Sequence, residues 1–71
     1  MTRVPFKKLF EENSDGSLNI KPNTKCSGLT FLAGVHISKG ILLGGIDWQL
    51  FKNRDLAVEY DGDITVIIGI F

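Results

Sequence analysis

The sequence predicts a small all-β domain, an antiparallel meander or partly open barrel with a short N-terminal helical turn. Three observations point there. A unit of Gly, apolar, any, apolar opens at Gly28, Gly34 and Gly40, and once more, a residue early, at Gly45. Leu56-Ala57-Val58-Glu59-Tyr60 and Ile64-Thr65-Val66-Ile67-Ile68-Gly69-Ile70-Phe71 are strand-forming runs joined by Asp61-Gly62-Asp63, the pattern of a hairpin. Phe6, Leu9 and Phe10 stand at i, i+3 and i+4, the spacing of one amphipathic helical turn.

Taken in order, the chain starts with that helical turn, where Pro5 suits the first helical position. One or two turns do not hold without packing, so the three apolar side chains must dock on the body or on a neighbouring chain. Glu11 to Ser17 reads as a polar loop turning at Asp15-Gly16. Leu18-Asn19-Ile20 alternates as a short strand, closed by Lys21-Pro22-Asn23-Thr24, because proline ends a strand or confines it to an edge. The reading is one domain over residues 1–71, with an N-terminal arm over 1–12 and a β body over 18–71.

Loop geometry sets an expected register for the glycine repeat. A three-residue loop Leu32-Ala33-Gly34 puts glycine last, as a type I turn plus bulge demands, and pairs Phe31 with Val35. Ser38-Lys39-Gly40 repeats this and pairs Ile37 with Ile41. A two-residue Gly44-Gly45 turn then pairs Leu43 with Ile46, which accounts for the early glycine. Four short strands would share one apolar face: Leu29, Phe31, Val35, Ile37, Ile41, Leu43, Ile46 and Trp48. A short β-solenoid coil is the alternative, with the units as successive sides; three or four units are few for such a coil to bury its ends.

In the final hairpin a three-residue loop Asp61-Gly62-Asp63 pairs Tyr60 with Ile64, Val58 with Val66 and Leu56 with Ile68. Ile67 and Phe71 then lie on the opposite face, so the last strand is apolar on both sides. Such a strand is central or covered, and left bare it invites aggregation. Phe6, Leu9, Phe10, Ile67 and Phe71 are therefore the candidate self-association residues.

A chain of 71 residues buries only about 60% of its unfolded surface, and scaffolds of this size usually use a staple or a partner, with a well-packed monomer as the alternative. Cys26 is the single cysteine and His36 the single histidine, so neither an internal disulfide nor a tetrahedral zinc site is expected, and no cofactor is expected. That leaves homo-oligomerisation as the open route. No apolar run is long enough for a transmembrane helix, no signal-peptide core precedes the domain, and a lone thiol suits a reducing, cytoplasmic setting. Net charge is zero, yet residues 1–39 carry six basic against three acidic residues and residues 40–71 carry two against five.

Pro5-Phe6-Lys7-Lys8-Leu9-Phe10, Asp15-Gly16-Ser17-Leu18, the glycine-led repeat and Arg54-Asp55-Leu56-Ala57-Val58-Glu59 together resemble short uncharacterised bacterial and metagenomic proteins. In those the repeat is more regular, reading Gly-Val-any-Phe. The resemblance covers most of the chain, implies a compact self-contained domain, and carries neither a function nor a site with it.

Three function classes follow. The first is a non-enzymatic binding or self-assembly module. The second is a small β-barrel that binds single-stranded nucleic acid through Arg3, Lys7, Lys8, Lys21 and Lys25, with Phe6 and Phe10 nearby. The third is a small enzyme using His36 as base with Asp47, and Ser38, Thr30 or Cys26 as nucleophile. Outward side chains on three-residue strands make no cleft, so no catalytic residue is expected. Asp61-Gly62-Asp63 is too short for a calcium loop, and Gly40 to Gly45 precedes a strand rather than a phosphate-binding helix. The sequence favours the binding or self-assembly module.

Overall fold

The computed structural model describes all 71 residues and is an all-β fold with one helical turn and one 3₁₀ turn. Two sheets enclose the core without closing into a barrel. The larger sheet has the order β1-β7-β8-β4-β5, from Thr2–Pro5, Asp55–Asp61, Ile64–Ile70, Asn23–Cys26 and Leu29–Phe31. The smaller has the order β2-β3-β6, from Phe10–Glu12, Leu18–Ile20 and His36–Ile37. All pairings are antiparallel except β4 with β8.

The N-terminal segment is no separate arm. Its helical turn, α1 (Phe6–Leu9), falls where the apolar spacing predicts, but Pro5 precedes it in extended conformation and belongs to β1. Thr2 to Pro5 pair with Val58 to Asp55, and Phe10 leads straight into β2. The helical turn is thus the corner at which the chain passes from one sheet to the other. Phe6, Leu9 and Phe10 point into the core from that corner, where all three are buried.

The glycine repeat does not form a meander. Leu29–Phe31 pairs with Asn23–Cys26 across a two-residue Ser27-Gly28 turn, and His36–Ile37 pairs with β3 in the other sheet. Gly34 and Gly40 remain turn residues at φ +89 and +87, but the turns they serve redirect the chain between sheets instead of folding it back on itself. Of the eight residues expected on one apolar face, Ile37, Leu43 and Trp48 are buried, Phe31, Val35 and Ile46 half-buried, and Leu29 and Ile41 exposed. The Gly44-Gly45 turn is as expected: both residues have positive φ, and Leu43 and Ile46 exchange backbone hydrogen bonds of 2.9 and 3.1 Å. Trp48, expected to end a strand, instead opens a 3₁₀ turn (Trp48–Phe51), which Asp47 caps by accepting from the Gln49 amide at 3.1 Å.

The last hairpin is correct in existence and shifted in register. Asp61 pairs with Ile64, so the loop has two residues, with Gly62 at φ +62 in the first central position as a type II′ turn requires. A shift of one residue turns every side chain of the second strand to the other face. Thr65 and Ile67 face the core, while Ile64 and Val66 face away from it, the reverse of the expected arrangement. A bulge between Ala57 and Val58 leaves Ile68 as an extra residue and brings Ile70 back opposite Leu56.

The core is filled by both sheets and by four aromatics in line. Phe6 stacks on Phe10 at 4.6 Å, Phe10 on Trp48 at 5.4 Å, and Phe51 meets Trp48 edge-on at 6.0 Å. The Trp48 indole donates to the Leu43 carbonyl at 3.1 Å, so the one polar atom taken inside by this ring is satisfied.

Candidate functional site

The outer face of the five-stranded sheet is not covered by the smaller sheet. Register fixes its occupants. In one row Lys25 of β4, Val66 of β8 and Glu59 of β7 lie side by side, and in the next Asn23, Ile64 and Asp61. Thr24 and Cys26, on either side of Lys25, are buried, so the alternation of β4 sends Lys25 outward. Ile64 and Val66 make no part of the core cluster and are half-buried, whereas the bulge residue Ile68, 50% exposed, lines a groove with Cys26 and Trp48. The result is an apolar pair on β8 with a basic flank on β4 and an acidic flank on β7. At the far edge, Arg3 donates to Asp55 at 2.7 Å and lies 4.3 Å above the Phe71 ring. Arg54 donates to the Phe71 carbonyl, which holds the end of the chain on the sheet.

Two concavities lie elsewhere on the surface. Where β4 ends, β8 continues past the Ser27-Gly28 turn, and a groove of about 230 Å³ opens there. Cys26, Ser27, Ile46 and Trp48 line one side of it and residues 67–70 the other. The Cys26 thiol is 3% exposed and its sulfur lies 3.7 Å from the Ser27 hydroxyl. A second, shallower cleft of about 340 Å³ lies between Lys7, Lys21, Glu11 and Glu12 with Phe10 at its base.

The remaining polar cluster belongs to the β2–β3 loop. Asp15 accepts from the Ser17 hydroxyl at 2.6 Å and from the Ser17 amide at 2.9 Å. Asn13 donates to the same hydroxyl, and Asn19 links Asn13 to His36, whose Nδ1 lies 2.9 Å from the Asn19 side-chain Oδ1. The Ser17 hydroxyl and then its amide hold the Asp15 carboxyl below its ordinary range. This network closes a turn, because every member bonds to another member or to the loop backbone.

The residues singled out from sequence fall as follows. Phe6, Leu9, Phe10 and Ile67 are buried in the chain's own core, and Phe71 alone of that group is open, at 38% under the Arg3 guanidinium. Lys7 and Lys21 come together, with Lys21 donating to the Lys7 carbonyl at 3.2 Å, but Glu11 and Glu12 share their cleft. Lys8 is exposed on α1; Lys25 lies on the outer face three strands from Arg3, and Arg3 is already paired with Asp55. His36 hydrogen-bonds Asn19 while Asp47 caps the 3₁₀ turn, so no bond joins the two. No group of three or more His, Cys, Asp or Glu side chains is placed to hold a metal, and no helix is long and apolar enough to cross a membrane. Ile64, Val66 and Glu59 were not among the sequence candidates. Their signal was the apolar run itself, hidden by a register off by one residue. Compared with protein-family models, curated proteins and solved structures, the chain finds no match.

Proposed function

We propose that the chain is a non-enzymatic module that acts by binding, and that its partner is a second copy of itself. The observation that carries this is the outer face of the larger sheet, where register turns the half-buried Ile64 and Val66 of the central strand away from the core. A strand that is apolar on both faces gains from cover on both, and one face here has it from the core alone. A non-enzymatic reading is supported by the partners of His36 and Asp47: His36 is bonded to Asn19 across two strands and Asp47 caps the 3₁₀ turn.

Sedimentation velocity from about 1 to 500 µM tests it. The expected result is a weight-average mass rising reversibly toward twice the monomer. A monomer throughout that range overturns the reading. The second reading, single-stranded nucleic acid at Lys7 and Lys21, draws support from their meeting at one cleft. It lacks the stacking platform such sites use, since Phe6 and Phe10 are buried. A labelled oligonucleotide at low salt separates the two, because binding there that weakens with added salt would favour the second.

A further inference from the structure

We propose that two copies pack sheet to sheet about a two-fold axis parallel to β8, which sets Lys25 of each copy against Glu59 of the other. This rests on the self-assembly reading above and adds the surface, the orientation and the contacts that select it.

The chemistry of the face specifies its own complement. Val66 sits between Lys25 on one neighbouring strand and Glu59 on the other, so the backbone positions that carry the two charges stand about 10 Å apart, two strand spacings. Both are exposed, and neither has an ion-pair partner within the chain, where the pairs are Arg3 with Asp55 and Lys52 with Glu12. A two-fold axis along β8 lays β8 over β8 and exchanges the flanks. The basic flank of one copy then meets the acidic flank of the other, twice, and Val66 meets Val66. An in-plane axis across the strands would instead stack Lys25 on Lys25 and Glu59 on Glu59. Charge therefore selects one orientation, with the β8 strands running in the same sense, and isologous contact of this kind closes at two copies.

The size of the face sets how tightly it can hold. The strands of this sheet have 4, 7, 7, 4 and 3 residues, and at ~3.3 Å per residue and ~4.8 Å between strands the footprint is on the order of 400 Å² per copy, below the standard size of a specific interface. Such a dimer is transient, with dissociation in the micromolar range or weaker.

The test is a charge exchange read by sedimentation equilibrium, with circular dichroism to confirm that each exposed substitution leaves the fold intact. Lys25→Glu and Glu59→Lys should each weaken self-association at least tenfold, by opposing like charges. Mixing the two variants should restore it. The carboxylate introduced at position 25 of one chain then faces the ammonium introduced at position 59 of the other, while the native Lys25 and Glu59 face each other at the second contact. The doubly exchanged chain should dimerise like the wild type. A wild-type dimer indifferent to both single changes overturns this interface and leaves the self-assembly reading standing. A wild type that stays monomeric overturns both.

Discussion

Trp48 is the side chain on which the fold depends most, and its removal can be worked through from the structure. It is 1% exposed, touches Phe10 and Phe51 through their rings, and spends its indole N–H on the Leu43 carbonyl. A domain of 71 residues has about 4–10 kcal/mol of stability at roughly 0.05–0.15 kcal/mol per residue. Trp48→Ala removes about 3–5 kcal/mol through lost burial and the cavity left behind, which takes about a third or more of that stability and all of it at the low end of the range. Trp48→Phe is the finer probe. The Leu43 carbonyl also accepts from the Ile46 amide at 3.1 Å, so it is not orphaned when the indole goes. The loss is then a net hydrogen bond of about 1 kcal/mol plus part of a ring's packing, about 2 kcal/mol together. That corresponds to a fall in Tm of about 8–16 °C for a domain this small. Urea unfolding followed by far-UV circular dichroism measures both variants, and in the wild type the sole tryptophan reports the same transition by fluorescence. A Trp48→Phe loss below about 0.5 kcal/mol would refute the central place given to this residue.

Gly62→Ala should cost about 1–2 kcal/mol in urea melts, because only glycine adopts φ +62 at that turn without strain; its Cβ would meet nothing, so the loss is conformational. Asp15 gives a pH dependence of known sign. Its carboxyl is held below its ordinary range by Ser17, so its contribution is present above about pH 4 and fades as pH falls through the lowered value; thermal melts from pH 6 to 2 should fall more steeply for wild type than for Asp15→Asn. Arg3→Ala should cost about 1 kcal/mol in urea melts, from an exposed ion pair and the Phe71 ring contact, and raising salt should narrow the gap to the wild type.

What could be read from the sequence was local. The Gly44-Gly45 turn depends on two adjacent residues that tolerate positive φ, and it stands where the sequence put it. The helical turn at Phe6 to Leu9 likewise follows from spacing within one segment. The last hairpin shows where local reading stops. Asp61-Gly62-Asp63 supports a loop of three residues or of two, since glycine is acceptable in either, and that one residue decides which face of β8 meets the core. The repeat failed for a different reason. Leu29–Phe31 takes β4 as its partner because Ser27-Gly28 makes a tighter turn than Leu32-Ala33-Gly34, and the parallel pairing of β4 with β8 joins residues some forty positions apart. The outer face with its opposed charges exists only once that pairing is made, so Lys25 and Glu59 could not be placed together from spacing.

Size alone left a partner chain or a well-packed monomer as the ways to complete so small a core, and the N-terminal segment supplies cover from within. Val4 enters through β1, Phe6 and Leu9 through the helical turn, and Phe10 through β2, so that 13 buried residues form one cluster without outside help. A second copy is therefore not required for folding. On the proposed reading its place is the other face of β8, where it adds to a monomer already folded. This separates two consequences that the sequence joined. Substitutions at Phe6, Leu9 or Phe10 should unfold the chain at any concentration, whereas changes at Lys25, Glu59 or Val66 should alter association and leave the monomer's melting curve nearly where it was.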